Sequence, residues 1–434
     1  MSIPPASAPG SAAVTARLAA MMFLQFFLWG AWFVTLGPFM NERKQEPTTI
    51  GYAYTTASVG AILAPIFLGM IADRFFATQR VLGVLHLLGG VCLLAAPTFA
   101  PKGAGDDAVP FIAVLLAHML CYMPTLGLTS SLAFHHMTNP EKQFPPVRVL
   151  GTIGWIVAGF AVAFVTRMMT PQDSNEAARA SAPYFFYVAG ASGILLGLYA
   201  FSLPHTPPPA RGKPFNLGSA MGFDALSMLK DRNFAIFCVC SFLLCIPLAA
   251  YYAFAANYAK GTGITDVPVK MTFGQMSEIV FMLVMPLFFA KLGVKWMLGV
   301  GMLAWAARYL LFGAAWGGHD GQEHVKWMVL AGIILHGICY DFFFVTGMIY
   351  VEKKCLPTVR AQAQCLLVLL TQGLGMLVGN QVFPRIVEAY TTSSGETGVI
   401  DWRTIWFIPA GFAAAIFVFF AATFNERRAA QPTG

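Results

Sequence analysis

The sequence predicts an all-α integral membrane protein with twelve transmembrane helices in two six-helix bundles. Its 434 residues are 57% apolar and 11% charged, whereas a soluble domain has roughly 25% charged residues. At about 20 to 24 residues per helix, twelve spans occupy most of the chain, which excludes a separate catalytic domain. Apolar runs of this length predict spans at about 18–40, 49–72, 80–99, 109–134, 147–166, 182–203, 233–258, 270–290, 294–317, 326–350, 360–384 and 403–424.

A polar stretch at residues 204–232 separates the first six spans from the last six. The fifth span of each half begins with the pattern P-x-V-R, at Pro145 and again at Pro357, which supports an internal duplication. We therefore expect five regions, which are a flexible cytoplasmic tail (1–17), an N-terminal bundle (18–203), a cytoplasmic linker (204–232), a C-terminal bundle (233–424) and a cytoplasmic tail (425–434).

The formal charge of +7 is attributed to loop residues that orient helices in the bilayer rather than to nucleic-acid binding. Apart from Arg148 and Arg308, 15 Lys and Arg residues fall on the side of the N-terminus and 10 on the other side. This bias predicts that both termini are cytoplasmic. No pattern of His and Cys residues has the spacing of a metal site, so we expect no metal and no cofactor. We also expect the protein to be a monomer.

Four charged residues cannot be placed comfortably in a loop or at a helix end, namely Arg148, Arg308, Glu278 and Asp341. An ionisable group at membrane depth is costly unless it faces a cavity or a partner, so these residues are functional candidates. Two structural alternatives stay open. Arg148 lies within about one turn of a helix end and could anchor that end, and Asp341 could form an ion pair with Arg308.

Helical spacing places polar and aromatic side chains beside these charges, because residues three, four or seven apart share a face. The resulting sets are Arg148, Thr152 and Trp155 on span five; Gln275 and Glu278 on span eight; His336, Tyr340 and Phe344 on span ten, with Asp341 one step round; and Gln25, Trp29 and Trp32 on span one. Their amide, hydroxyl and charged groups suit sugar hydroxyls or a nucleobase edge. His336 is equally consistent with a packed or hydrogen-bonded histidine, and His86 and His118 are interpreted as helix-packing residues whose polar atoms have partners.

The sequence contains no G-x-x-x-x-G-K-[ST] loop, so direct use of ATP by this chain is not expected. Carboxyl groups inside the membrane without a nucleotide site indicate a secondary transporter. Protonation of Glu278 or Asp341 would then couple substrate movement to the proton gradient.

The stretch from Gly69 through Asp73 and Arg74 to Arg80 resembles the loop motif of the major facilitator superfamily. Further segments resemble the nucleoside:proton symporter family within it, namely Leu24 to Trp32, Tyr122 to Leu128, Phe144 to Gly154, Gln275 to Glu278 and Tyr340 to Phe343. The resemblance implies the major facilitator fold, with Asp73 and Arg74 in structural or gating roles. Arg308, which lies outside this motif, is expected to have a structural or gating role rather than to bind a ligand. The resemblance also implies nucleoside import by proton symport across a bacterial inner membrane.

The resemblance further implies that Arg148, Thr152, Gln275 and Glu278 contact the nucleoside, with Asp341 nearby. Trp155 and Tyr340 occupy aromatic positions of the family that could stack on the base. The chain departs from the family pattern on spans seven and ten. Ala249 and Tyr252 replace a Gln and an Asn, and His336 and Phe344 replace a Tyr and an Asn. We include Tyr252 and His336 among the expected substrate-binding residues.

Two alternatives remain at this point. A proton-coupled sugar or oligosaccharide transporter of the same fold would use the same hydroxyl-binding groups. A membrane-embedded enzyme or receptor would need a catalytic constellation or a soluble domain, and the sequence shows neither.

Overall fold

A computed structural model describes residues 11–67, 75–174, 176–208, 223–264, 267–316, 323–356, 359–392 and 399–425. The helices are α1 Ala12–Glu42, α2 Pro47–Phe67, α3 Thr78–Phe99, α4 Val109–His135, α5 Pro140–Met169, α6 Glu176–Ala180, α7 Tyr184–Ala200, α8 Phe223–Leu226, α9 Arg232–Gly261, α10 Val267–Ala315, α11 Glu323–Ile334, α12 His336–Cys339, α13 Thr346–Lys354, α14 Arg360–Val368, α15 Met376–Ala389 and α16 Trp402–Thr423. A 3₁₀ turn (Ser227–Lys230) follows α8, and π-helical segments join α12 to α13 (Tyr340–Val345) and α14 to α15 (Leu369–Gly375). Two-residue strands, β1 Thr391–Thr392 and β2 Val399–Ile400, pair antiparallel.

Polar caps define the starts of several helices. Ser11 accepts a hydrogen bond from the Val14 amide at α1, and Asn139 accepts one from the Lys142 amide at α5. At α16, Asp401 accepts hydrogen bonds from the Thr404 amide (3.2 Å) and hydroxyl (2.6 Å). The Thr404 hydroxyl is the main reason that the pKa of Asp401 lies below its ordinary value. Such caps satisfy backbone donors that have no partner inside the helix.

The prediction of an all-helical membrane protein is confirmed. Ten helices of the described residues are long and apolar enough to cross a bilayer. The 49-residue α10 covers predicted spans eight and nine, and it contains one non-helical residue, Gly293, with φ of 68°. Gly293 falls in the predicted gap between those spans, and glycine adopts this conformation without strain. The count of twelve spans stays a prediction.

Packing groups the helices into two compact units. The first unit runs to Ala225 and includes Cys355–Pro384, and the second comprises Leu226–Lys354 and the chain from Arg385 onward. In the first unit α1 packs on α5 and α7, α3 packs on α4 and α7, and α14 with its following π segment packs on α2 and α4. In the second unit α10 packs on α11, α12 and α16. The expected division at 204–232 follows chain order and stays a prediction, whereas this grouping follows packing.

Candidate functional site

In the first unit, small residues bring α5 close against α1. A Cβ atom at Gly30 would lie 2.9 Å from the Trp155 ring, and one at Gly154 would collide with the backbone of Phe23. Larger side chains at either glycine would separate the helices. This close approach places the predicted face of α5 beside Phe26 and Trp29 of α1.

Arg148, Thr152 and Trp155 share one face of α5, as the spacing predicts. The Arg148 side chain is only 3% exposed, and its guanidinium carbon lies 3.8 Å from the centroid of the Phe26 ring. Nη1 of Arg148 donates to the Thr152 hydroxyl at 3.5 Å. Trp155 is half-buried and meets Trp29 edge to face at 5.7 Å. An interior position of Arg148 against an aromatic ring disfavours a simple anchor at the membrane surface.

A buried hydrogen-bond network next to this face involves residues that the sequence did not single out together. Gln25 donates from Nε2 to the Thr125 hydroxyl and accepts from Nε2 of His86, both at 2.8 Å. The Tyr122 hydroxyl donates to the Gln25 carbonyl at 2.9 Å. His86 is thus a packing residue with a hydrogen-bond partner, and it fixes the orientation of the Gln25 amide. The sequence feature that could have indicated this network is Gln25, the polar residue on the helix face that it shares with Trp29 and Trp32.

In the second unit, two glycines hold α10 against α12. A Cβ atom at Gly337 would lie 2.6 Å from the Ser277 hydroxyl oxygen, and one at Gly274 would lie 3.0 Å from Cβ of His336. The Ser277 hydroxyl accepts from the Gly337 amide at 2.9 Å and donates to the Ile334 carbonyl at 2.6 Å. The backbone next to Glu278 is thereby fixed relative to α12.

This packing brings together two predicted site residues, Glu278 and His336. Oε1 of Glu278 lies 2.9 Å from Nε2 of His336, and the two residues are 5% and 3% exposed. A carboxylate in contact with an imidazole can take up and release a proton without either group becoming isolated in a low-dielectric interior. The contact agrees with the hydrogen-bonded histidine that the sequence left open at this position.

An aromatic stack covers the His336 ring. Tyr251 lies parallel to it at 5.5 Å with an interplanar angle of 17°, and the Arg308 guanidinium lies 4.2 Å from the Tyr251 centroid. Arg308 also donates from Nε to the Gly332 carbonyl at 3.1 Å. Its Nη1 and Nη2 have no hydrogen-bond partner among the described residues, and the ion pair with Asp341 stays a prediction. Tyr251 was missed because its neighbour Tyr252 occupies the family position.

The predicted alignment on span ten runs through a π-helical segment. The His336 and Tyr340 rings are 6.0 Å apart, and the Tyr340 and Phe344 rings are 5.2 Å apart. Asp341, in the same segment, is completely buried. Segments of π-helix occur frequently at functional sites, and here one carries both Tyr340 and Asp341.

The remaining predicted residues are distributed as follows. Gln275 and Tyr252 are half-buried, and Tyr252 contacts Tyr251 with ring centroids 6.0 Å apart. Ala249 is buried. Asp73 and Arg74 lie outside the described residues.

Comparison with known proteins tests the resemblance. A family profile described as "Nucleoside H+ symporter" matches residues 12–429. The protein YegT of Escherichia coli K12 is 39% identical over 95% of this chain and 94% of that protein. The xanthosine permease of the same organism is 30% identical over 95% of this chain and 97% of the permease.

Structural comparison agrees with these relatives. The crystal structure of the nucleoside transporter NupG matches with a TM-score of 0.70 at 28% identity, covering 95% of this chain and 100% of NupG. A major facilitator superfamily xylose symporter, XylE, matches with a TM-score of 0.68 at 12% identity, which bears on the fold alone. The chain therefore belongs to the nucleoside H+ symporter family. It is a multi-pass membrane transporter of the major facilitator fold, and it is not an enzyme.

Proposed function

We propose that this protein imports nucleosides together with protons by alternating access, and that the His336–Glu278 pair takes up the coupling proton. The observation that carries this assignment is the buried contact of 2.9 Å between Nε2 and Oε1. Burial makes two isolated charges costly. A proton shared by an acid and a base allows the pair to change its charge while each group keeps a partner.

Asp341 is the second candidate for proton coupling. It is completely buried within the π-helical segment, and intramembrane carboxyl groups commonly mark proton pathways. Glu278 is placed first, because its contact of 2.9 Å with the titratable His336 is observed.

Substrate contacts are proposed for the predicted polar and aromatic residues. Arg148 and Thr152 offer donors to ribose hydroxyls, and Gln275 and Glu278 offer an amide and a carboxylate. The rings of Trp155, Tyr340 and Tyr252 and the imidazole of His336 supply flat surfaces on which a nucleobase can stack. Four of these side chains are half-buried, namely those of Trp155, Tyr252, Gln275 and Tyr340. The other four, those of Arg148, Thr152, Glu278 and His336, are buried.

The identity of the base should depend on Tyr252 and its neighbour Ala249, which replace two amides of the family pattern. We expect the double change Ala249→Gln with Tyr252→Asn to improve uptake of common nucleosides relative to the native substrate. A buried polar edge that lacks a partner costs about 1 to 3 kcal/mol, or roughly five- to 150-fold in affinity. The measurement is the ratio of apparent affinities for uridine, adenosine and inosine within each variant. An unchanged ratio would show that these positions do not recognise the base.

The substrate class is tested by uptake of labelled uridine, adenosine and a disaccharide into vesicles that contain the protein. We expect saturable uptake of nucleosides and no uptake of the disaccharide. Uptake of the disaccharide alone would establish the sugar-transporter alternative. A relative is named as a xanthosine permease, so xanthosine is included as a fourth substrate.

We also propose residence in the bacterial inner membrane as a monomer with both termini in the cytoplasm, without a nucleic-acid partner or cofactor. The bias of Lys and Arg towards the loops on the N-terminal side supports this orientation. Protease accessibility of tags at each end, in intact and in opened spheroplasts, tests it directly.

A further inference from the structure

Nδ1 of His336 is a buried polar atom whose role is not explained by the contacts of the protein. It has no hydrogen-bond partner within the described residues, although His336 is only 3% exposed. Buried polar atoms are nearly always hydrogen-bonded, and an exception calls for an explanation such as a ligand. The other ring nitrogen is already occupied, because Nε2 contacts Glu278 at 2.9 Å.

Proton uptake by the pair reverses the hydrogen-bonding character of Nδ1. With Glu278 as a carboxylate, Nε2 carries the hydrogen and a neutral imidazole presents Nδ1 as an acceptor. One added proton produces either an imidazolium beside a carboxylate or a neutral imidazole beside a carboxylic acid. Nδ1 carries a hydrogen in both cases, so it becomes a donor whichever of the two groups holds the added proton.

The described side chains around the His336 ring do not hydrogen-bond Nδ1, so this atom can bond to a ligand. Tyr251 covers a face of the ring and Tyr340 lies at 6.0 Å from it, and neither hydroxyl bonds to Nδ1. The charged groups that act on the imidazole are Glu278 and Arg308, and the aromatic rings beside it are those of Tyr251 and Tyr340. Glu278 is the one that hydrogen-bonds the imidazole among the described residues.

We infer that Nδ1 of His336 is a hydrogen-bond site for a carbonyl oxygen of the nucleobase, and that it donates only after the His336–Glu278 pair has taken up a proton. The inference rests on the proposed function. Nucleosides with an oxo group on the base then bind best to the proton-loaded protein. By linkage, the same nucleosides favour proton uptake by the pair, so one atom joins substrate choice to proton coupling.

Inosine and adenosine provide a matched test, because they differ in an oxo against an amino group on the same purine. Each is used unlabelled to inhibit uptake of labelled uridine at about pH 5.5 and about pH 7.5, a range that brackets ordinary histidine titration. We expect the affinity for inosine, relative to adenosine, to rise at least about fivefold at the lower pH. The ratio cancels any effect of pH that is common to both nucleosides.

The variant His336→Gln keeps a polar side chain but cannot titrate, so its inosine-to-adenosine ratio should not change with pH. The control is His135→Gln, which alters an exposed histidine at the end of α4 and should retain the wild-type response. A wild-type ratio that does not change with pH would overturn the inference, even if His336→Gln fails to fold. A pH response that persists in His336→Gln would also overturn it. Absence of uridine and inosine uptake by the wild-type protein would instead contradict the proposed function.

Discussion

Replacing Glu278 by Gln is expected to abolish concentrative uptake of nucleosides. The substitution keeps the size of the side chain and removes the group that shares a proton with His336 across 2.9 Å. Without a titratable acid, the pair cannot hold a proton between two stabilising partners in the buried interior. Labelled nucleoside inside vesicles should then approach the external concentration and never exceed it, whatever proton gradient is imposed.

Exchange transport separates the two roles proposed for Glu278. If the carboxylate serves proton coupling alone, exchange of internal for external nucleoside survives in Glu278→Gln. If it also binds the ribose, exchange is lost as well. Glu388→Gln, which changes an exposed glutamate near the end of α15, provides the matched control. Accumulation at the wild-type level in Glu278→Gln would transfer the coupling role to Asp341.

The second large effect is expected at Arg148. Changing it to Lys should lower uptake at least about tenfold, which corresponds to about 1.4 kcal/mol. Lysine keeps the charge but loses the planar set of donors that reaches Thr152 while the guanidinium carbon lies 3.8 Å from the Phe26 ring centroid. Initial uptake rates at equal protein content, measured over a range of nucleoside concentrations, test this expectation.

Arg167→Lys is the matched control, because Arg167 lies exposed near the other end of the same helix. It should behave as the wild type does. If Arg148→Lys also stayed within about twofold of wild type, well under the effect of one lost charged hydrogen bond, Arg148 would be an anchor and not a substrate contact.

Sequence patterns could predict those parts of the molecule that depend on local spacing. The apolar runs locate the helices to within several residues, and the contact between Arg148 and Thr152 follows from a separation of four positions on one helix. Gly293 interrupts α10 between two predicted spans. The structure also keeps the predicted neighbouring positions of His336, Tyr340 and Phe344, although the helix changes to π geometry between them.

Contacts between distant segments could not be predicted in the same way. The pairing of Glu278 with His336 depends on the close packing at Gly274 and Gly337, and spacing along one helix contains no information about it. The link between Gln25 and His86 joins residues 61 positions apart. The packing of the Arg308 guanidinium on Tyr251 likewise joins residues far apart in the chain.

The central claim, that nucleoside and proton enter together, is tested most directly by acidification of a lightly buffered vesicle interior. Addition of uridine or inosine outside vesicles of the wild-type protein should acidify the interior without an imposed gradient, and vesicles of Glu278→Gln should show no such change. The same addition in the presence and absence of Na⁺ should give equal acidification. Nucleoside accumulation without proton entry, or accumulation that follows a Na⁺ gradient, would contradict the account.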